Sequence, residues 1–458
     1  MPLYGRRSVL PGITARQIFD WHARPGAFSR LVPPWEAVRV EQRGEGLEVG
    51  TRTILSAPVI GPIRSRWVAH HVECEAPGGF TDVQERGPFA SWRHVHRFSD
   101  GLGGAVLEDE VTWEPPLGAL GRAVAGGFIR RRLDAMFGMR HRRTTRDLER
   151  LRPYADKPRL RVVVSGASGL VGTALCAFLD AGGHTVERLV RREPGPGEIR
   201  WDVRAGTIDA AALEGADAVI HLAGAPIAGA RWTEERKRLI RDSRVDGTAL
   251  LSRTLAALER PPEVFVSASA IGFYGHTGTH VVDEDSPRGE GFLADVCAAW
   301  EAAAAPAAEA GIRTVNLRVG LVLSAAGGIL QKLLPTARMG LGGPVGSGTQ
   351  GQSWIALDDL VGAIHFALRE AGVRGPVNGT APEPVGQATF ARVLGSVLGR
   401  PAFLPAPSLA IRLALGEMGQ ALVLEGQYVR PSRLLEHGFR FDEPALAGAL
   451  EHCLGLRS

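Results

Sequence analysis

The sequence predicts two domains of different class: an α+β domain with an antiparallel sheet, followed by an α/β domain with a doubly wound parallel sheet. The chain has 458 residues, about three times the length of a typical domain. Short alternating segments separated by glycine or proline fill residues 1–152, and this spacing favours an antiparallel meander. From Leu160 onward, near-continuous apolar strands alternate with helical segments, as in a parallel sheet covered on both faces.

The first domain is predicted to span residues 1–152. After an opening strand, Thr14 is expected to cap a helical segment that extends to Leu31. Six strands follow, and a long helix closes the domain with its apolar residues roughly on one face. The predicted strands are WEAVRVEQ, GTRTILSA, IRSRWVAHHVEC, FTDVQERG, SWRHVHRF and AVLEDEVTW. The apolar face of the closing helix comprises Ile129, Leu133, Met136, Phe137, Leu148 and Leu151.

Residues 153–158 are predicted to be a linker, and residues 159–380 form the α/β domain. Residues 381–458 contain short helical patterns with several proline breaks, which indicate a small C-terminal cap on the sheet. The predicted strands of the α/β domain are RLRVVVSG, TVERLVR, DAVIHLAG, EVFVSAS and RTVNLRVG.

The composition excludes several classes of protein. Hydrophobic residues make up 45% and charged residues 22%, an ordinary globular balance. The four cysteines are far apart and form no CxxC pair, so we expect neither a disulfide framework nor a thiolate zinc site. The N-terminus lacks the apolar region of a signal peptide. The apolar stretch from Leu409 to Leu424 is interrupted by Arg412 and Glu417, so we expect a cytoplasmic protein without stable membrane insertion.

The positive charge comes almost entirely from arginine, since the chain contains only three lysines and has a net charge of +4. The segment Arg130–Arg152 is locally basic. We interpret its arginines as the solvated side of the closing helix, opposite the apolar face, and we predict no nucleic-acid partner. The sequence leaves the oligomeric state open.

A glycine-rich turn follows the first strand of the α/β domain. Gly166 permits the tight turn, Gly169 allows the backbone to approach a pyrophosphate, and Gly172 allows close packing of the following helix on the strand. A phosphate would bind the free N–H groups at the start of that helix. The order of strand, glycine turn and helix predicts a Rossmann-type dinucleotide site. Its predicted cofactor-binding residues are Gly166, Ser168, Gly169, Leu170, Val171 and Gly172.

The end of the second strand favours NADP as the cofactor, with NAD as the alternative. Arg191 and Arg192 stand about 20 residues after the glycines, where an NAD site usually has an acidic residue for the ribose hydroxyls. An arginine can instead pair with a 2′-phosphate. Glu193 next to them could also bind the ribose, so both cofactors stay open.

Residues 159–455 resemble the extended short-chain dehydrogenases/reductases. More closely, they resemble the atypical epimerase-family group with a C-terminal domain of unknown function (DUF1731). The resemblance implies that Leu222, Ala223 and Gly224 border the cofactor. The residues that carry it are the GxxGxxG turn, His221–Gly224, Ser267–Gly275, Arg231–Thr233, Cys297–Glu301, Leu317–Gly320, Gly340–Gly343 and Trp354–Asp359. In the extension they are Arg400–Pro401, Leu415–Glu417, Pro431–Leu434 and Gly438–Phe439.

The first domain resembles the helix-grip ligand-binding superfamily (START/polyketide-cyclase-like, SRPBCC). The resemblance implies a hydrophobic small-molecule cavity, with Trp92 as a candidate ligand-binding residue; a filled core around Trp67, Trp92 and Trp113 is the alternative. The residues that carry it are Trp21–Gly26, Val32–Trp35, Gly87–Phe89, Trp92–His96 and the closing helix. His94 and His96 share one face of a strand, but a metal site needs a third ligand and usually a carboxylate behind the histidines. We therefore predict no metal site.

The superfamily's usual catalytic pair, a tyrosine with a lysine four residues later, is absent from the sequence. Aligning Glu301 with the family's glutamate places Leu293 and Cys297 at the tyrosine and lysine positions. Another group must then move the proton, and the candidates are Ser269, Tyr274 and His276, at the carboxyl edge of a strand. The candidates for binding the substrate are Arg318 and Asp295. Alternatively, Arg318 forms a structural salt bridge and Asp295 lies on the surface of a helix.

Two functions are compatible with these residues. The first is an NADP-dependent oxidoreductase or epimerase-like protein that acts on a small-molecule substrate, which the first domain binds or delivers as a hydrophobic ligand. The second is a protein that binds NADP(H) and a lipid-like ligand without turnover, as the missing tyrosine–lysine pair suggests. We favour the first, because the loops after the strands are rich in polar residues.

Overall fold

The computed structural model describes residues 1–60 and 63–457. Contacts within the chain define two compact units. The first contains Met1–Pro158 with the segments Ala177–Gly183 and His452–Ser458, and the second contains Arg159–Cys176 and His184–Glu451. Within the described ranges, no helix is long and apolar enough to cross a bilayer.

The first unit contains a seven-stranded sheet whose neighbouring strands are all antiparallel, in the order β1-β7-β6-β5-β4-β3-β2. This is the α+β class that the alternating segments predict. Its strands are β1 (Leu3–Leu10), β2 (Arg39–Gln42), β3 (Arg52–Ile60), β4 (Ile63–Glu75), β5 (Gly79–Arg86), β6 (Ser91–Gly101) and β7 (Gly104–Glu114). Its helices are α1 (Ala15–Ala23), α2 (Pro25–Leu31) and α3 (Gly118–Leu151).

The predicted helix from Thr14 to Leu31 is two helices. Thr14 caps α1 in a capping box with Gln17, as the sequence predicts. Arg24 then adopts an extended conformation and separates α1 from α2. The reason is Pro25, whose ring disfavours a helical conformation for the preceding residue.

The long closing helix α3 packs against the sheet through Leu133 and Phe137, which join Tyr4, Trp92 and Val111 in one buried cluster. This confirms the predicted apolar face.

The basic side of α3 is more buried than the sequence indicates. Arg143 is buried and donates to the carbonyl of Arg30, and the Arg140 Nε–H donates to the carbonyl of Leu31. These arginines hold α2 against α3. The predicted solvated side is therefore correct for the exposed Arg130–Arg132 and wrong for Arg143.

The second unit contains an eight-stranded sheet in the order β11-β10-β9-β8-β12-β13-β15-β19. All neighbours are parallel except β10 and β11. Strand order reverses between β8 and β12, which is the switch point where doubly wound sheets bind dinucleotides. The strands of this sheet are β8 (Arg161–Ser165), β9 (Thr185–Val190), β10 (Glu198–Asp202), β11 (Thr207–Ile208), β12 (Ala218–His221), β13 (Val264–Ala270), β15 (Arg313–Val319) and β19 (Gly375–Gly379).

Further elements cover this sheet and form the C-terminal part of the chain. The first helices are α4 (Leu170–Ala181), α5 (Glu234–Ala256), α6 (Phe292–Ala302), α7 (Ala305–Glu309), α8 (Gly328–Arg338) and α9 (Leu357–Arg369). Those that follow are α10 (Gln387–Val397), α11 (Ser408–Leu415), α12 (Glu417–Gly419), α13 (Ser432–Glu436) and α14 (Leu446–Leu454). The short strands are β14 (Val281–Val282), β16 (Leu321–Ser324), β17 (Gly351–Gln352), β18 (Trp354–Ala356), β20 (Val385–Gly386) and β21 (Tyr428–Val429).

Candidate cofactor and active site

The glycine turn lies at the switch point, between the carboxyl ends of β8 and β12. Gly166 has a φ of +68°, a left-handed conformation that favours glycine. A Cβ on Gly166 would lie 2.7 Å from the Leu222 carbonyl carbon and 2.8 Å from the Ala223 nitrogen. The structure therefore brings the turn against the segment after β12, and only glycine fits at this approach.

Helix α4 begins directly after the turn, at Leu170. A Cβ on Gly172 would collide with the Gly166 carbonyl oxygen, so this glycine sets the close contact between helix and turn. Ser168 and Gly169 are exposed, and the N–H groups of the first helical turn (Leu170, Val171 and Gly172) lack intrahelical acceptors by position. An anion can approach these donors along the helix dipole.

A buried serine–histidine pair supports the turn from beneath. The N–H of Leu222 donates to the Ser165 Oγ (3.1 Å), and this hydroxyl lies 2.6 Å from the Nδ1 of His221. The hydroxyl accepts from Leu222 and forms a second hydrogen bond with Nδ1. Burial lowers the pKa of His221 to about 4, and the ring is neutral at physiological pH.

The two arginines after β9 have different surroundings. Arg192 forms a doubly hydrogen-bonded ion pair with Glu198, and Glu193 pairs with Arg200. Arg191 is exposed, and among the described residues it has no hydrogen-bond or ion-pair partner. Only Arg191 of the predicted pair is therefore available to a ligand without breaking an existing ion pair.

Ser269 and Arg318 are opposite each other on β13 and β15, and both bind Glu301 of α6. The Ser269 hydroxyl donates to Glu301 Oε1 (2.7 Å). Arg318 donates to the same carboxylate twice, from Nε to Oε1 (2.8 Å) and from Nη2 to Oε2 (2.9 Å). The remaining nitrogen, Nη1, donates to the Tyr274 hydroxyl (2.9 Å). Each guanidinium nitrogen thus has a partner, and the side chain is nearly fully buried, as expected of a structural salt bridge.

Tyr274 extends this network to β19. Its hydroxyl donates to the Asn378 Oδ1 (2.8 Å) while it accepts from Arg318. Burial raises the pKa of Tyr274 to about 12, although Arg318 and Asn378 act in the opposite direction. The phenol therefore keeps its proton at neutral pH and cannot serve as a base in this conformation.

The position that aligns with the usual catalytic lysine holds a neutral thiol. Cys297 is buried in α6, and burial together with the charge of Glu301 raises its pKa to about 12. The position of the usual tyrosine holds Leu293, which lies next to Gly272 together with Cys297. Two arginines, Arg244 and Arg318, act electrostatically on Cys297. The role of Arg318 as an ion-pair partner was left open by the sequence.

The other two predicted residues lie apart from the Glu301 network. His276 is exposed, and its Nδ1 lies 3.2 Å from both the carbonyl oxygen and the nitrogen of Gly426. Asp295 is exposed on α6 and pairs with Arg288 at the surface (3.0 Å). Its placement corresponds to the helix-surface alternative, because Ala294, Cys297 and Trp300 form the buried face of α6 and Asp295 faces solvent.

A cavity of about 620 Å³ lies beside the sheet, but at a different place. Arg313, Thr314 and Gly375 line it, and these residues begin β15 and β19. It is therefore at the amino ends of the strands, whereas the glycine turn follows a carboxyl end. Chemistry in doubly wound sheets occurs at the carboxyl ends, so we assign the cofactor to the turn and not to this cavity.

Comparison with known proteins identifies the family. The family model "NAD dependent epimerase/dehydratase family" matches residues 162–378. An epimerase family protein of Mycobacterium tuberculosis is 43% identical over 290 residues, which cover 63% of this chain and 96% of the relative. This chain belongs to the epimerase family.

Two crystal structures agree with the assignment to the epimerase family. One, described as a nucleoside-diphosphate sugar epimerase from Corynebacterium glutamicum, is 34% identical with a TM-score of 0.81. That match covers 99% of this chain and 90% of the other. The human epimerase family protein SDR39U1, solved with NADPH, is 38% identical with a TM-score of 0.60, over 64% of this chain and 99% of the human one.

Models of two further domains match the remaining parts of this epimerase-family chain. Residues 12–137 match "Polyketide cyclase / dehydrase and lipid transport", and residues 406–453 match "Domain of unknown function (DUF1731)". These matches confirm the three-part resemblance and the fold class predicted from the sequence.

In the polyketide-cyclase-like part of the epimerase-family chain, Trp92 packs in an aromatic cluster. Its ring meets Trp67 edge-on at 5.0 Å and lies 5.1 Å from Phe89. A cavity of about 280 Å³ lies nearby, lined by Tyr4 and Trp113 but not by Trp92. Of these two tryptophans, Trp113 lies on the wall of this cavity, and Trp92 belongs to the aromatic cluster.

His94 and His96, for which we predict no metal site from the sequence, have carboxylates on both sides. Asp82 lies opposite His94, and Asp109 lies opposite His96, in the strand registers. Burial alone would lower the pKa of His94, but Asp82 and Asp109 raise it to about 9. Sequence analysis missed both aspartates.

Proposed function

We propose that the second unit binds NADP(H) at the turn Gly166–Gly172 and serves as an oxidoreductase or epimerase-like protein for a small-molecule substrate. The observation that carries this proposal is the open turn at the strand-order switch point. There Gly166 meets the backbone of Leu222 and Ala223 while Ser168 and Gly169 face solvent. The NADPH in the structure of human SDR39U1 supports the same cofactor class.

The preference for NADP over NAD is assigned to Arg191. A guanidinium without an ion-pair partner can bind the 2′-phosphate, whereas Arg192 would first have to leave Glu198. Hydrogen bonds to a charged group contribute about 1.5–3 kcal/mol, which corresponds to roughly 10- to 100-fold in affinity.

Bound NADP(H) would supply or accept a hydride. The chain's own groups would position the substrate and move the proton. Ser269 and Tyr274 donate to Glu301 and Asn378, so they fix the shape of the site and their protons are engaged. The imidazole of His276 is exposed and lies outside the Glu301 network, so proton transfer at its ring leaves that network intact. We therefore assign proton transfer to His276, and positioning to Ser269 and Tyr274.

A second candidate function is the binding of NADP(H) without turnover. Cys297 and Leu293 replace the usual lysine and tyrosine, and the proton-bearing side chains beside them are hydrogen-bonded within the chain. These observations favour a sensor that reports the cofactor through binding alone.

Fluorescence titration of NADPH and NADH tests the proposed site. We expect Gly169→Asp to abolish binding of both, because it places a negative charge at the pyrophosphate position. Arg191→Ala should weaken NADPH roughly 10- to 100-fold and leave NADH unchanged. Arg192→Ala is the matched control and should change neither by more than a small factor. Failure of the wild-type protein to bind either nucleotide would refute the proposal.

Turnover separates the two candidates. NADPH labelled at C4 is incubated with the protein and extracts that contain small metabolites, and stereospecific loss of the label is measured. The enzyme function is supported if the label is lost only with an intact glycine turn and if the loss is slower in His276→Gln. Binding with no loss of label under any condition supports the sensor.

For the first unit we propose an apolar ligand with an anionic end. The cavity of about 280 Å³ is lined by the aromatic side chains of Tyr4 and Trp113, and also by Arg122 and Arg130. A fatty-acid probe tests this. Gly127→Leu, on the cavity wall, should reduce probe binding, and Gly103→Leu, in a hairpin away from the cavity, should leave it unchanged. Equal binding by both variants would contradict the proposal.

A further inference from the structure

Four polar residues lie on one face of three adjacent strands in the first unit. His94 and His96 are two residues apart on β6 and therefore point to the same side of the sheet. Asp82 on β5 is directly opposite His94, and Asp109 on β7 is directly opposite His96. The two imidazoles thus stand between two carboxylates, and His94, His96 and Asp109 are buried.

The distances on one side of the imidazole pair fit a metal ion. Asp82 Oδ2 lies 3.1 Å from His94 Nδ1 and 3.7 Å from His96 Nε2, and all three atoms lie within 4.8 Å of one another. Bonds of about 2.0–2.1 Å in a tetrahedral arrangement place ligand atoms about 3.4 Å apart. We propose that Asp82, His94 and His96 bind a divalent transition-metal ion, with Zn²⁺ as the best match.

On the opposite side of the imidazole pair, the carboxylate of Asp109 contacts both histidines. Asp109 Oδ1 lies 3.1 Å from His94 Nε2 and 2.7 Å from His96 Nδ1, the ring nitrogens that face away from Asp82. A carboxylate behind the metal-binding histidine fixes its tautomer and its orientation. Asp109 is itself held by His141 through Oδ2 (2.8 Å), and His141 Nδ1 lies 2.9 Å from the Ser8 hydroxyl.

Hydrogen bonds within the chain do not fully account for this arrangement. His96 Nδ1 is buried and close to Asp109, but the contact lacks hydrogen-bond geometry. Apolar rings enclose the imidazoles: Phe80 stacks on His96 with centroids 3.9 Å apart, and Phe137 meets His94 edge-on at 5.1 Å. A divalent cation bound to the two histidines would neutralise the charges of the two carboxylates in this apolar surrounding.

Three protein ligands leave one tetrahedral position for water or an oxygen-donor ligand, as in catalytic zinc sites. This position is expected on the side of Asp82, whose side chain is 14% exposed while those of His94 and His96 are 4% and 8% exposed. His71 is opposite Asp82 on β4 and is the neighbouring imidazole on that side. The site is separate from the proposed cofactor turn, since all its residues belong to the first unit.

Metal binding is tested on the full chain, purified without an affinity tag that binds metal, stripped with a chelator and then incubated with excess Zn²⁺. We expect the protein to retain one equivalent of Zn²⁺ after gel filtration, measured by mass spectrometry of the metal. Co²⁺ substitution should give the visible absorption of a nitrogen- and oxygen-bound tetrahedral ion. A thiolate charge-transfer band would instead assign the metal to a cysteine and overturn the proposal.

Variants locate the ion. Asp82→Asn and His96→Gln should each lower Zn²⁺ affinity at least about 100-fold, and Asp109→Asn should lower it roughly 10- to 100-fold. His70→Gln is the matched control, because His70 is a β4 histidine that pairs with Glu85 outside the group. It should bind Zn²⁺ like the wild type.

The outcomes that overturn the proposal are substoichiometric Zn²⁺ in the wild type, or full retention in Asp82→Asn and His96→Gln. Equal loss in His70→Gln would also overturn it. One equivalent of Fe²⁺ taken up in preference to Zn²⁺ supports the site and corrects the choice of metal, since two histidines and one carboxylate also suit iron. The wild-type measurement decides the question even where a variant fails to fold.

Discussion

Arg318 and Glu301 form a buried, two-point ion pair at the carboxyl end of β13 and β15, with Nε–Oε1 at 2.8 Å and Nη2–Oε2 at 2.9 Å. The guanidinium carbon also lies 3.5 Å from the centre of the Phe273 ring. Ser269 and Tyr274 bind the two ends of this pair. The fixed charge beside the strand ends is thus an arginine held by a glutamate, where the superfamily usually has a lysine beside a tyrosine.

We expect Arg318→Ala to lower the free energy of unfolding by about 3–5 kcal/mol. It leaves the Glu301 carboxylate buried without its cation, and breaking a buried pair from one side is strongly destabilising. Urea denaturation measures the loss. The control is Arg288→Ala, which removes a surface pair with Asp295 and should change stability by about 1 kcal/mol at most. Equal losses in the two variants would show that the buried pair is not structural.

The glycine turn could be predicted because its determinants are local. The strand, the three glycines and the helix are contiguous between Val162 and Ala181, and each glycine has a steric reason that holds in any Rossmann-type domain. From the sequence, Glu301 can be aligned with the glutamate of the superfamily. Its contact with Arg318, however, depends on how α6 packs on β13 and β15. No local pattern gives that contact.

The group of Asp82, His94, His96 and Asp109 could be predicted only in part, because the pairing of its residues depends on the register of the strands. A two-residue hairpin at Leu102 and Gly103 joins β6 and β7 and fixes His96 opposite Asp109, so this pair could have been found from the turn alone. The β5–β6 connection is longer, and β4–β5 has register shifts. Asp82 could therefore not be placed opposite His94 from the sequence.

Asp358 and Asp359 stand where a sequence pattern suggests an N-cap, but neither caps α9. They lie in the first turn of α9, after Ala356 as N-cap. The carboxylate of Asp359 accepts from the backbone N–H groups of Asp442 and Glu443, 2.8 and 3.0 Å away. The partners of Asp359 are thus 83 and 84 positions away along the chain, and a local sequence pattern cannot predict such contacts.

Gly172→Ala should abolish NADPH binding and destabilise the second unit by about 1–3 kcal/mol. The new methyl group would overlap the Gly166 carbonyl oxygen and the Ala167 Cα, and both are backbone atoms that cannot rotate away. Gly169→Ala is the matched control for thermal stability only, because a side chain at Gly169 also faces the pyrophosphate position. Its Cβ would lie 3.3 Å from the Gly166 oxygen, so a small shift accommodates it. Nucleotide titration of Gly172→Ala and thermal unfolding of both variants check this, and tight NADPH binding by Gly172→Ala would contradict the assigned close contact.

The buried His221 predicts acid sensitivity of the second unit. Its pKa is about 4 in the folded chain and about 6.5 when unfolded, so the unfolded chain binds the proton more readily between these values. The stability it contributes is fully present above about pH 6.5 and is lost as the pH falls toward 4. The loss amounts to about 3 kcal/mol. Urea unfolding across this range measures it, and His221→Asn should flatten the slope; an unchanged slope would contradict the neutral buried imidazole.

Tyr274 should remain protonated throughout the neutral and mildly alkaline range. Burial raises its pKa to about 12, and its proton is donated to Asn378. Ultraviolet titration of tyrosinate should therefore give the same curve for the wild type and for Tyr274→Phe up to about pH 10. The variant should unfold about 1–3 kcal/mol more easily, because Asn378 Oδ1 and Arg318 Nη1 lose a buried partner. A tyrosine that ionises near neutral pH in the wild type and disappears in Tyr274→Phe would reverse the assignment. It would make Tyr274, and not His276, the group that transfers the proton.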